Sequence, residues 1–182
     1  MQEDRVLKLE RWTTQYVELE DRMRLNALSS QGEVMVLWLT QRLLIRLVPY
    51  FCQWLEAQSD IPSAVQSVHH GFAQQAAQLS LQQSTEPEVQ VPTEAGGVQA
   101  PALLVYGVEV SKIEGHITLG FKDAQGQVHA QLPLPAQALR QWLQVLHSQY
   151  IAAQWPTMGW PEWLLEHAAL TSAAPSGSAL LH

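Results

Sequence analysis

At 182 residues the chain is long enough for one domain with a single core, or for two small halves sharing a core, and too short for two independent domains. Charged residues make up only 15 % of it and the formal net charge is -7, which argues against a phosphate-binding stripe, so no nucleic-acid partner is expected. The most apolar run, residues 34–55, is interrupted by Gln41, Arg42, Arg46 and Gln53 and so does not read as a bilayer span; no membrane partner is expected either.

The opening residues, MQEDRVLKLER, place acids where a signal peptide has its basic region. The one cysteine, Cys52, allows no internal disulfide. Both features point to a cytoplasmic location. Arg22, Arg24, Arg42 and Arg46 are balanced by Glu18, Glu20 and Asp21 and read as solvated positions. With so little charge, the surface relies on glutamine, serine and threonine, and a partner or a second copy is expected to cover part of it.

Residues 5–12 alternate loosely and read as a short strand. From Gln15 to Leu28 the alternation is strict, with Val17, Leu19, Met23 and Leu25 opposite Glu18, Glu20, Arg22 and Arg24. This predicts one half-exposed antiparallel strand with a slip near Asp21. Ser29-Ser30-Gln31-Gly32 then reads as a hairpin loop, and Glu33 to Leu39 as an interior strand buried on both faces. Thr40 is a helix N-cap ahead of Leu43, Leu44, Leu47, Val48, Phe51, Cys52, Trp54 and Leu55, which recur at intervals of three and four. Cys52 there packs as a small hydrophobe, and Pro49 is expected to kink the helix or end its first half near Val48.

Ser63 to Gln83 reads as a second, more exposed helix, with Val65, Val68, Phe72, Ala76 and Leu79 spaced among glutamines. Residues 84–101, with Pro87, Pro92 and Pro101, read as a linker. Three strands follow at Ala102–Val110, Lys112–Lys122 and Gln127–Leu132, the last two joined by a turn at Asp123–Gly126. Pro133 and Pro135 close the sheet edge and lead into a helix over residues 136–155, carrying Leu139, Trp142, Leu143, Leu146, Tyr150 and Ile151. Trp155, Trp160 and Trp163 lie among prolines beyond it, and residues 171–182 are expected to be disordered.

Setting Gly32 over Gly126, an offset of 94, aligns Met23, Leu25, Val34 and Val36 with Ile117, Leu119, Val128 and Ala130. The same offset sets Ile45, Val48 and Cys52 over Leu139, Trp142 and Leu146. The expected fold is therefore α+β: two antiparallel β-hairpin or meander units, each followed by a helix packed on the sheet, an internal duplication related by a pseudo-two-fold. Residues 1–170 would form one domain from two similar halves, 5–83 and 102–155, joined by the linker 84–101.

No HExxH, CxxC, GxSxG, GxGxxG or GxxxxGK[ST] pattern occurs, so no catalytic residue, metal ligand or cofactor is assigned. The leading expectation is an accessory, adaptor or assembly protein acting through protein contacts, with a protein partner or a homodimer. Trp155, Trp160 and Trp163 are its candidate anchors, unless that segment folds back to plug the core. The competing expectation is a small-ligand binder or enzyme with a pocket between the halves. Its candidate residues are Tyr106 with His116 and His129, the two histidines facing each other across the second hairpin. A third is an extended peptide bound along a sheet edge.

Overall fold

The computed structural model describes residues 5–91 and 100–166. Its elements are β1 (Leu7–Val17), β2 (Arg22–Ser29), β3 (Val34–Thr40), α1 (Gln41–Ala57), α2 (Ser63–Gln83), β4 (Ala102–Leu104), β5 (Gly107–Ile113), β6 (His116–Lys122), β7 (Val128–Pro135) and α3 (Ala136–Ala152). The fold is α+β, with one mixed seven-stranded sheet in the order β4-β3-β2-β1-β7-β6-β5.

The single strand read over residues 15–28 is in fact the end of β1, a turn, and β2. After Val17 a 3-10 turn, Glu18–Glu20, leads to Asp21 at φ 48, a left-handed conformation that aspartate tolerates better than most residues. Tyr16 Oη and Trp155 Nε1 both donate to Asp21 Oδ1, at 2.9 and 3.0 Å, and hold the turn. Leu19 sits at its tip, 94 % exposed, rather than facing the core.

The strand read over residues 102–110 is also two. Val105 N donates to Trp38 O of β3, whereas the next residue, Tyr106, donates its N–H to Lys122 O of β6. The following turn is at Glu114 and Gly115, where Gly115 takes φ 78, and not at Ser111. One chain segment thus belongs to both ends of the strand order and closes the ladder on itself. β1 makes the matching bridge: Leu7 and Lys8 run parallel to Ala130 and Gln131 of β7, and from Leu9 onward the strand pairs with β2.

A bulge distinguishes the two antiparallel pairs. Ala27 faces Met35 and Leu28 faces Val34, whereas Phe121 faces Ala130 and Lys122 faces Val128, leaving His129 as an extra residue. The offset is therefore 94 up to Val128 and 95 beyond it. That shift corrects the alignment of the helices. α1 and α3 are both 17 residues long, and at 95 Leu44, Leu47, Val48, Phe51, Cys52 and Leu55 fall on Leu139, Trp142, Leu143, Leu146, His147 and Tyr150, all buried. Ile45, set over Leu139 by the offset of 94, is 53 % exposed.

β3 is fully buried only on the face of Met35, Leu37 and Leu39; Val34 and Trp38 on its other face remain partly accessible. α1 does not end at Val48 but continues through Pro49, and Thr40 Oγ1 accepts from Leu43 N at 3.2 Å as its N-cap. One hydrophobic cluster joins Met23, Leu25 and Leu37 to Ile117, Leu119 and Leu132 through the inner faces of α1 and α3. The start of the expected linker is not free. Val89 is buried, its N–H donates to Thr13 Oγ1 at 2.8 Å, its carbonyl accepts from Asn26 Nδ2, and Glu86 lies 3.8 Å from Arg11. Residues 92–99 and the expected disordered tail lie outside the described residues.

Candidate functional site

α2 departs from the way the other helices are built. Its buried residues are His70, Gly71, Gln74, Ala77 and Gln78, mostly polar or small. Val65, Val68, Phe72 and Leu79 are each at least half exposed, Phe72 at 67 %, and Ala76 is exposed beside them. With 3.6 residues per turn these five lie within about 80° of arc, on the side opposite His70, Gln74 and Gln78. None of the 21 residues of α2 is Asp, Glu, Lys or Arg.

The inward face is polar because of what it meets. Arg140 of α3 is buried and its Nη2 donates to His70 Nδ1 at 2.8 Å, while Gln74 Nε2 donates to Arg140 O at 2.9 Å. The guanidinium lies 5.3 Å from the centre of the Trp163 ring, which is itself 5.5 Å from the His70 ring. Burial foremost, and then the positive charge of Arg140, push the His70 pKa below its ordinary value.

This cluster is not a nucleophile and base. An arginine can only donate, so Nδ1 of His70 is its acceptor and the ring proton sits on Nε2. Nε2 then faces Ser59 Oγ at 3.4 Å as a donor and has no lone pair with which to take the serine proton. Cys52 is buried, and desolvation first and then Glu56 push its thiol up to about 12, far from a reactive thiolate.

The three tryptophans proposed as anchors are turned inward, at 7, 7 and 4 % exposure for Trp155, Trp160 and Trp163. Trp155 Nε1 reaches Asp21, Trp163 Nε1 donates to Glu56 Oε1 at 2.9 Å, and Trp160 sits edge-on to Tyr150 and His147. The segment folds back over the core, so within this chain these rings are packing, not a presented surface.

The expected pocket residues are not brought together. His116 pairs with Pro135 at one end of β6, whereas His129 is the bulge opposite the other end, roughly five residues or 17 Å along the strand. They do not face each other across the hairpin, because the register places Phe121 against Ala130. His129 Nε2 is 2.7 Å from Asp123 Oδ2, and Asp123 Oδ1 also accepts from Gln125 N and Gln127 N. The His129 and backbone hydrogen bonds hold the Asp123 carboxyl below its usual range, and the group serves the turn. Tyr106 is 64 % exposed near the same end as His129.

A cavity of about 690 Å³ lies elsewhere, between β1, the strap at residues 84–89 and α3. Arg11, Trp12, Thr14, Glu86, Gln141 and Trp142 are among its walls. Trp12 and Trp142 meet edge to face with centroids 6.1 Å apart, and Trp142 Nε1 donates to Thr14 Oγ1 at 3.0 Å. It opens where β1 leaves β7 after Lys8, and Tyr16 N, on that same edge, donates to Gln149 Oε1 at 2.7 Å. Nothing local in the chain points to it, since Trp12 and Gln141 lie on elements far apart in sequence.

Among the described residues no group of three or more His, Cys, Asp or Glu could hold a metal ion, and no helix is long and apolar enough to cross a membrane. Comparison with family models, with curated proteins and with solved structures yields no match.

Proposed function

We propose that this is a small cytoplasmic accessory or assembly protein acting through protein contacts, and that its contact surface is the outer face of α2. One observation carries the reading: a continuous apolar stripe on a helix without charge, turned to solvent while the polar face is buried. Scattered exposed apolar residues need no explanation, whereas a contiguous row does. Such a row at three- and four-residue spacing is what a helix presents to a partner. The test is a photo-crosslinking amino acid placed at position 72 in cells, with the exposed Ile113 position as control. A discrete adduct from position 72 and none from position 113 is expected. Absence of any adduct from positions 65, 68, 72 and 79 in the folded protein would overturn the reading.

The scaffold behind α2 is read here as one domain formed by internal duplication with a pseudo-two-fold. Its support is the exchange of first strands. Lys8 pairs with Gln131 and Ala102 pairs with Val36, and these pairs correspond residue for residue once the bulge at His129 is counted. Two extra residues at the β4–β5 switch and the bulge are where the halves part.

The cavity favours a second reading, a small-ligand binder with its pocket between the halves, since β1 and α3 come from different ones. A thermal-shift screen of small molecules would test it. A hit is expected to lose its shift in Trp12→Leu, and a hit unaffected by Trp12→Leu and Gln141→Leu would place binding elsewhere.

A further inference from the structure

We infer that the occupant of the α2 face is a second copy of this chain, docked antiparallel about a two-fold axis at Phe72. This rests on the reading of α2 as the contact surface and names its partner. The stripe is palindromic: Val68 and Ala76 lie four residues either side of Phe72, and Val65 and Leu79 seven. A two-fold axis at Phe72 sets Val65 against Leu79 of the partner subunit and Val68 against Ala76 of the partner subunit. Each apolar side chain then meets an apolar one, which is the self-complementarity an isologous interface requires. The 3-4-4-3 spacing keeps all five on one face of a helix of 3.6 residues per turn; from Val65 to Ala76 it is the eleven-residue repeat, not a heptad, so the two helices need no left-handed supercoil to stay in contact.

Charge permits the same partner. A copy with net charge -7 repels another across most of its surface, but the α2 face itself carries no charge, and the two-fold brings Asp60 near Glu86 of the partner subunit only at the ends of the seam, beyond its apolar stretch. A helix of 21 residues is about 31 Å long, and two of them make an interface at the small end of those that hold proteins together. A seam that small is expected to dissociate on dilution through the micromolar range.

Sedimentation equilibrium of the full chain over that range tests the dimer, and disulfide trapping tests its geometry. The mass should rise with concentration from 20.4 kDa toward twice that value, and Phe72→Asp should keep it at 20.4 kDa with unchanged circular dichroism. Phe72→Cys should crosslink to itself, and Val65→Cys to Leu79→Cys but not to itself, with the buried Cys52 silent. Self-crosslinking of Val65→Cys, or a dimer insensitive to Phe72→Asp, would overturn the antiparallel seam. A monomer at every concentration would overturn the second copy. In that case an adduct with another protein from position 72 would still uphold α2 as a contact surface, and absence of any adduct would remove that reading too.

Discussion

α1 and α2 follow each other in the chain and carry similar apolar spacing, yet they face opposite ways. α1 turns Leu44, Leu47, Val48, Phe51 and Leu55 into the core, while α2 turns Val65, Val68, Phe72 and Leu79 out of it. Helical periodicity tells which residues share a face, not what lies opposite that face. α1 lies over the apolar inner surface of the sheet. α2 lies beside Arg140 and Trp163, where His70 and Gln74 can be hydrogen-bonded and a leucine could not satisfy the guanidinium.

The largest effect that would sharpen this contrast comes from the same residue type on each helix. Phe51→Ala empties a fully buried site and should cost about 3 to 5 kcal/mol in urea unfolding. If Phe51→Ala cost no more than a surface change, the burial of the α1 face would be wrong.

The next effect is acid sensitivity, and it belongs to polar groups placed where apolar ones are usual. His70 on α2 and His147 on α3 are buried, and desolvation lowers the pKa of each below the ordinary imidazole value. In the fold they stay neutral, whereas the unfolded chain takes up protons near about pH 6.5. Stability is therefore complete above that pH and is lost as pH falls through it toward the folded values. The urea midpoint should be lower at about pH 5.5 than at about pH 7.5. The difference should shrink in His70→Gln and in His147→Gln, and an unchanged difference in both would show that neither imidazole is buried neutral.

How much of this could be read in advance differs by element. β3 and β7, α1 with its Thr40 cap, and the turns at Gly32 and Gly126 were legible because apolar spacing and capping are local. The turn at Asp21 was hidden because apolar residues keep odd numbers on both sides of it, although the β1 bulge between Leu9 and Arg11 makes Thr14 the inward residue. The bulge at His129 was hidden because an offset of 94 still sets Val36 over the apolar Ala130. The burial of Trp160 and Trp163, the strap at Val89 and the outward face of α2 all depend on segments far away in sequence.

A smaller effect tests how α1 and α2 begin. Thr40 Oγ1 caps α1, whereas the residue before α2 is Pro62, with no side-chain cap. Thr40→Ala should cost about 1 kcal/mol, and Pro62→Ala should remove no cap hydrogen bond.

The smallest expected effect is the most telling about α2. At protein concentrations too low for two copies to pair, Phe72→Ala should change stability by no more than about 0.5 kcal/mol, because the ring it removes is already in water. At high concentration the same substitution should lower the apparent melting temperature, because it removes a partner that binds only the folded chain. The two measurements separate a side chain that packs within its own subunit from one that waits for another. A loss as large as that of Phe51→Ala at low concentration would mean that Phe72 is core after all, and the contrast between the helices would vanish.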